Sequence, residues 1–396
     1  MYLQVRKDVI IKMNILQEKC KALKESVQDK WKVLDSDIDD EKRYEIVASM
    51  QQDLIDYATF LEDGMNLNDT IVIQTLKTAC ELCYRYVATH ELNIKSFNYV
   101  MKLQLHSIER LTFSCVPEDA YHLSVIAIIK NEMYIREWIE YHRMVGVSHF
   151  YIYDNESTNH MKEEIQDYID SGVVTYQYFP GELMQLKAYK HAVEHYQFET
   201  KYMAMIDGDE YMVPMQDELL PDIVDHIFED YESLVLKEPG FAGGIGINWR
   251  DYGSSHHKDK QEGLCIENYM YRAPDDFFLN AHIKTIFIPR VVTDIWTPHI
   301  PDMQENWRTI SENGSTINYS FFYDSMCKKL RINHYFCKSE NEYMEKIKRG
   351  WPDRVHSYTQ RRLDQEMNWV TNTCNEIYDP IMQKYIPELK KRLKRS

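Results

Sequence analysis

The chain contains no run of about 18 apolar residues, which excludes a helix that spans a membrane. It has no surplus of basic residues. Its 46 Lys and Arg face 63 Asp and Glu, a formal net charge of −17, which excludes a broad phosphate-binding surface for nucleic acid. The opening residues, Met1 to Asp8, lack the apolar core of a secretion signal. Eight cysteines stand at wide spacings, unlike a disulfide framework, so reduced thiols and cytoplasmic residence are expected. Several enzyme signatures are missing too: no Gly-x-Gly-x-x-Gly follows the first strand-like run, and there is neither a Walker A loop nor a Gly-x-Ser-x-Gly elbow. Glycine is scarce, 13 of 396 residues, yet Gly240, Gly243, Gly244, Gly246 and Gly253 fall within fourteen positions. Such a concentration marks either a close backbone approach at a site or a bend at a sheet edge. What is present is ordinary globular composition, 44% hydrophobic and 28% charged, long enough for two or three domains.

Residues 1–117 read as helical. Met13, Leu16, Cys20, Leu23, Val27 and Leu34 recur at helical spacing, and Val47, Leu54, Ala58 and Leu61 repeat the pattern. A third helix is expected to open near Asp69-Thr70, whose short polar side chains can cap free N–H groups. It contains Cys80-Glu-Leu-Cys83, which without a second pair nearby reads as core cysteines. This region carries no chemical motif. It suits a small bundle or hairpin used for association, and so a homo-oligomer through these helices.

After Pro117 the texture changes. Apolar runs at His122–Ile129, Val147–Tyr153, Val173–Phe179 and Lys201–Ile206 alternate with helical spacing at Glu132–Val145, Met161–Ile169 and Leu183–Tyr196. That alternation predicts a parallel sheet with crossover helices, in which ligands bind beyond the carboxyl ends of the strands. Those ends read Lys130-Asn131-Glu132, Asp154-Asn155-Glu156-Ser157 and Asp207-Gly208-Asp209-Glu210. Three carboxylates within four residues repel one another, and a divalent cation neutralises them most simply. Oxygen ligands suit Mg²⁺ or Mn²⁺, which bridge carboxylates to substrate phosphates. Gly208 would leave room for a diphosphate.

The segments Ile129–Glu132, Glu137–His142 and Gly146–Asn155 resemble glycosyltransferase family 92 and its bacterial relatives. The likeness continues through Gln185, Ile206–Tyr211, Trp249–His256, Ile266-Glu267, Ile283–Thr285 and Ile332–Ser339, in the family's order over about residues 120 to 355. It implies a GT-A, Rossmann-like α/β fold with a mixed, mainly parallel sheet and helices on both faces, preceded by the helical N-terminal region. The division it suggests is 1–117, 118–355 and a C-terminal helical extension at 356–396. It also implies a UDP-sugar donor, Mn²⁺ (or Mg²⁺), and transfer with inversion to a glycan or lipid-linked acceptor, plausibly in surface polysaccharide synthesis.

By the same resemblance Asp154 and Gln185 would hold the uridine, and Asp207 the ribose or the metal. Asp209 would bind the metal directly, and Lys284 would meet the diphosphate. Lys130, Asn131 and Glu132 fall on the donor side. His334 would complete the metal shell, with His299 as a rival. Trp249, Ser254, Ser255 and His256 would meet the acceptor. Inverting attack also needs a carboxylate base. Glu267 is preferred over Asp251, because the segment after it looks helical and a helix start can aim a side chain into a cleft. Asn268 stands where the family commonly has arginine, and His257 falls where the serine-histidine motif is irregular. A catalytically silent scaffold and a phosphohydrolase are the other classes considered. Lys390, Lys391, Arg392, Lys394 and Arg395 form a basic tail that reads as a solvated helix end or as a peripheral contact with an anionic membrane.

Overall fold

The structure is a computed structural model describing residues 2–64, 70–89, 93–117, 119–234, 240–324, 327–349 and 360–394. The cap expected at Asp69, the boundary drawn at 355/356 and the tail residue Arg395 lie outside the described residues. The chain divides into two compact units, Met1–Glu118 and Asp119–Ser396.

The first unit consists of four helices, α1 (Tyr2–Leu34), α2 (Asp40–Gly64), α3 (Thr70–Thr89) and α4 (Ile94–Ser114). Each carries one buried stripe stepping by three or four residues, such as Leu16, Cys20, Leu23, Val27, Trp31 and Leu34 on α1, or Phe97, Met101, Leu105 and Ile108 on α4. The four stripes merge into one apolar cluster, and α4 closes back on α1. Lys24 Nζ pairs with Glu109 Oε2 at 2.7 Å across that closure. Cys83 is buried with its Sγ 3.8 Å from Met101 Sδ, and Cys80 packs against the same core. Burial pushes the Cys83 thiol up to about 12, so this pair serves packing. Among the described residues no helix is long and apolar enough to cross a membrane.

In the second unit β1 (Tyr121–Ile129), β2 (His149–Asp154), β3 (Val174–Tyr178) and β4 (Thr200–Met205) alternate with α5 (Ile135–Met144), the short α6 (Met161–Glu164) and α7 (Gln166–Asp170), and α8 (Gln185–Tyr196). These strands are parallel in the order β4-β1-β2-β3. Strand parity shows why both faces are apolar. Ile126, Ile128, Tyr151 and Tyr153 pack against Ala188, Tyr189 and Ala192 of α8, whereas Phe150 points the other way, to Trp138 of α5. Donors on α5 also fasten the next strand, β5 (Glu210–Pro214): Trp138 Nε1 donates to Glu210 O at 2.8 Å and Tyr141 OH to Met212 O at 3.0 Å.

The remaining elements are α9 (Leu220–Leu234), β6 (Phe241–Asp251), α10 (Cys265–Asn268), β7 (Tyr271–Arg272), β8 (Ile283–Phe287), β9 (Val292–Asp294), β10 (Asp302–Met303), β11 (Trp307–Ile310), β12 (Thr316–Ile317), β13 (Leu330–His334), α11 (Glu340–Arg349), α12 (Gln360–Thr371), β14 (Ile377–Tyr378) and α13 (Ile386–Leu393). The ten-stranded sheet is mixed, which corrects the expectation of a mainly parallel one. β8 is antiparallel to both β4 and β6, β6 is parallel to β11 and β13, and β13 is antiparallel to β5. The helical alternation that forces parallel pairing ends at β4, which reaches β5 through residues 206–209 without a crossover helix.

The glycine concentration has a packing origin. Gly243, Gly244 and Gly246 lie inside β6, and a Cβ on Gly246 would stand 2.6 Å from Ile317 Cδ1. Gly253 allows a close backbone approach, donating its N–H to Cys374 O at 2.9 Å. The C-terminal segment is built into this unit. Asp379 pairs with Arg272 and Arg331, and Leu389 of α13 is buried where that helix packs on α5.

His142 of α5 gives this unit an acid-sensitive point. Its Nδ1–H donates to Trp138 O at 2.8 Å and its Nε2 accepts from Met212 N–H at 3.2 Å, which fixes the neutral tautomer. Burial lowers its pKa to about 3. Below the unfolded value of about 6.5 the unfolded chain takes up a proton that the folded one refuses, until pH nears 3. Stability is therefore expected to fall by up to about 1.4 kcal/mol per pH unit over that window. Urea midpoints at pH 7.0 and 5.5 check this, since His142→Gln should lose less on acidification than the wild type. Equal losses would contradict it.

Candidate active site

Because β8 is antiparallel to its neighbours, its amino end lies at the same sheet edge as the carboxyl ends of β1, β2, β4, β6 and β13. That edge gathers Glu132 after β1, Asp154 at the end of β2, Asp207 to Glu210 after β4, Asp251 ending β6, Lys284 near the start of β8 and His334 ending β13. Residues distant in sequence thus meet through strand order alone.

Asp207 is heavily committed. Its Oδ1 accepts from Gln185 Nε2 at 2.7 Å and from Tyr189 OH at 3.2 Å, and its Oδ2 accepts from Lys284 Nζ at 2.8 Å. Lys284 is 1% exposed and also lies 3.5 Å from Glu210 Oε2, which in turn accepts the Asp207 N–H at 2.8 Å. Burial would lower the Lys284 pKa, but Asp207 and then Glu210 hold it well above its usual value, so it stays charged. Burial, only partly offset by Lys284, pushes Glu210 upward. Its other oxygen, Oε1, is buried and bonds to no group among the described residues.

Asp209 faces differently. Its Oδ2 is held by Lys346 Nζ of α11, which also donates to Phe336 O at 2.9 Å, while its Oδ1 lies 3.9 Å from His334 Nε2. Burial would raise this carboxyl, but Lys346, His334 and Lys338 outweigh it and hold the group well below the carboxylate range. His334 Nδ1 in turn meets Asp251 Oδ1 at 2.7 Å. Burial opposes charge on His334, and the bond to Asp251 raises its pKa against that. Asp251, 2% exposed, thereby turns the Nε2 of His334 towards Asp209. A carboxylate orienting a histidine in this way is the usual support for a metal-binding imidazole.

The donor set fits a divalent ion as a pair. Neighbouring ligands of an octahedral ion with bonds of about 2.1 Å lie ~3 Å apart and opposite ones ~4.2 Å, and the Asp209–His334 separation of 3.9 Å falls within that span. Among the described residues no group of three or more His, Cys, Asp or Glu is arranged to hold an ion. Two protein ligands with substrate phosphates completing the shell is how Mg²⁺-type ions are commonly held. His299 stands elsewhere, donating its Nδ1–H to Ile283 O at 2.8 Å; its ring centroid is 5.4 Å from that of Trp249.

Several expected residues act inside the fold. Asp154 accepts from Ser157 N–H at 2.8 Å and Tyr176 OH at 2.6 Å. Asn131, with φ of 56°, ties the ends of β1 and β2 by accepting from Thr158 N–H at 2.7 Å and donating its own N–H to Ser157 Oγ at 2.9 Å. Lys130 lies 3.9 Å from Glu156. Ser254 and Ser255 are buried against the C-terminal segment, where Asn375 bonds to Ser254 Oγ and to the Ser255 N–H. His256 is exposed beside Tyr271. Trp249 stacks on His334, with ring centroids 4.2 Å apart. Glu267 lies on α10, its carboxylate paired with Lys390 Nζ at 2.6 Å.

Sequence reasoning missed the cationic half of this edge. Lys338 Nζ holds Glu132 Oε1 at 2.6 Å, over the ring of Tyr134, and Lys346 holds Asp209. Lys338 lay within the segment read for His334, but nothing in its spacing shows that it reaches back 206 residues. The basic tail is likewise partly engaged: besides Lys390, Arg392 lies 3.6 Å from Glu140 and pairs with Glu388.

Comparisons with known proteins bear on this edge. A sequence model described as glycosyltransferase family 92 matches residues 127–369, more than half of the chain. A curated family 92 glycosyltransferase of Oryza sativa subsp. japonica is 29% identical over 108 residues, 26% of this chain and 18% of that protein, so the chain spans under a fifth of its length. Among solved structures, S. aureus TarS 1–349 in complex with UDP is 15% identical, with a TM-score of 0.28 over 43% of this chain and 47% of that one. A putative glucose-1-phosphate thymidylyltransferase from Bacillus anthracis in complex with sucrose is 10% identical, with a TM-score of 0.26 over 43% and 72%. The family match encloses every charged side chain gathered here, from Glu132 to Lys346, and on it the chain belongs to glycosyltransferase family 92.

Proposed function

We propose that this family 92 glycosyltransferase has the GT-A architecture and moves a sugar from a UDP-sugar to a glycan or lipid-linked acceptor, with inversion and with Mn²⁺ or Mg²⁺. The observation that carries the reading is the meeting of Asp209, His334 and the Lys284–Asp207–Glu210 group at one sheet edge. Asp209 and His334 would hold the ion, which when bound supplies positive charge to the departing diphosphate. Lys284 holds Asp207 and Glu210 in place beside them, and Lys346 and Lys338 add positive charge at the same edge. Asp251 keeps the His334 imidazole aimed. Glu267 is the proposed proton acceptor: its side chain is 35% exposed, against 2% for Asp251, so an acceptor hydroxyl can reach it once Lys390 swings away.

UDP release from a panel of UDP-sugars, with Mn²⁺ and with EDTA, tests the reading. No release from any donor, with or without added acceptors, would leave a silent scaffold, and release of free phosphate from simple esters would indicate a phosphohydrolase. The two carboxylates should separate cleanly. Glu267→Gln is expected to lower kcat by about 10² or more with donor affinity unchanged. Asp251→Asn should instead weaken Mn²⁺ binding by roughly 10- to 100-fold, as loss of a residue orienting a metal ligand does. The reverse pattern would exchange their roles.

A further inference from the structure

Beside the reaction edge runs a strip of exposed aromatic side chains that none of the site residues above explains. Tyr319, Phe321 and Tyr323 are 75%, 42% and 77% exposed, at alternate positions of a short extended segment. The segment is pinned in register: Ile283 N–H donates to Ser320 O at 3.0 Å and Phe322 N–H to Ala281 O at 2.7 Å, so it runs antiparallel beside 281–283, immediately before Lys284. The three exposed rings fall at alternate positions, and Ser320 and Phe322 between them are half-buried.

The strip is joined to the reaction centre by a run of ring contacts, of which His282–Trp249 is stacked and the other two are tilted. Phe321 lies 4.0 Å from His282, His282 4.7 Å from Trp249, and Trp249 4.2 Å from His334, centroid to centroid. The indole N–H of Trp249 is buried and donates to no group among the described residues. An aromatic path therefore leads from the proposed metal ligand to the surface.

We propose that Tyr319, Phe321 and Tyr323 form a subsite for the sugar rings of an oligosaccharide acceptor, feeding its terminal unit along His282 and Trp249 to the reaction centre. This rests on the transferase reading above and names the acceptor class for it. A pyranose presents flat C–H faces that pack on an aromatic ring and hydroxyls around its rim. Tyrosine offers both an apolar face and a polar tip at low conformational cost. The neighbours Asn318, Ser320 and Asp324 are polar and uncharged or acidic. No Lys or Arg lies between residues 318 and 324, so the segment itself carries no cation to draw an anionic lipid surface.

The test is binding of the intact protein to an array of immobilised oligosaccharides, beside sedimentation with phosphatidylglycerol vesicles. The variants are Tyr319→Ala/Tyr323→Ala, whose targets are too exposed to hold the fold, and Tyr319→Phe/Tyr323→Phe, which keeps the ring faces. The expected result is glycan binding by the wild type, weakened roughly tenfold or more in the alanine variant and largely kept in the phenylalanine one. Equal glycan binding by wild type and alanine variant, no glycan bound by the wild type, or a loss confined to vesicle binding would overturn the proposal. UDP-sugar hydrolysis with water as acceptor is read on the same samples. No UDP release, either with water or with the bound oligosaccharides as acceptors, beside ring-dependent glycan binding would sink the transferase reading while leaving the subsite standing.

Discussion

Replacing Asp209 by asparagine should reduce transfer by about 10³-fold or more while leaving the fold intact. The change is nearly isosteric, and it strips the charge from the carboxylate whose Oδ1 lies 3.9 Å from His334 Nε2. Lys346 would lose one charged partner but keeps its bond to Phe336 O at 2.9 Å, and the asparagine oxygen can still accept from it. Activity is read at saturating UDP-sugar and Mn²⁺, and folding by thermal melting. Transfer close to wild type would remove Asp209 from the metal site.

The second large effect is structural. Lys284 is buried between Asp207 and Glu210, and Glu210 is itself fully buried with one oxygen unpartnered. Lys284→Met leaves the buried Glu210 beside the part-exposed Asp207 without their shared cation. Breaking a buried pair from one side typically costs about 3–5 kcal/mol, because the remaining charge is uncompensated. Unit Asp119–Ser396 should therefore unfold at markedly lower urea, with the four-helix unit unaffected in isolation. Adding Glu210→Gln to Lys284→Met removes one of the stranded charges and should recover part of the loss. If Lys284→Met unfolds like the wild type, the pair is not holding this edge together.

Much of this arrangement was legible in the chain, and the exceptions have a common cause. The helical stripes of the first unit and the first four strands were readable because period and burial are local properties, fixed by residues a few positions apart. The acidic strand ends followed, since parallel strands must deliver Glu132, Asp154 and Asp207 to one edge. What escaped was decided by long-range pairing. β8 enters the sheet backwards between β4 and β6, and no local pattern in Ile283–Phe287 announces direction. The glycines of β6 looked like a loop or site because their crowding partners, Ile317 and Met303, come from strands far along the chain. Asp251 was weighed as a base because a carboxylate in a glycine-rich segment looks reactive, whereas β13 places His334 upon it. Lys338, just before α11, and Lys346 on it were invisible for the same reason: a lysine at such a position reads as solvated until the sheet beside it is known.

The central claim is that Asp209 and His334 hold a divalent ion together with a nucleoside diphosphate, and calorimetric titration of UDP tests it most directly. With Mn²⁺ present, the wild type should bind UDP at least about tenfold more tightly than in EDTA, and Asp209→Asn should bind it equally weakly in both, since the ion bridges protein and phosphates. UDP binding by the wild type that is indifferent to Mn²⁺, or no binding in either condition, would contradict the account.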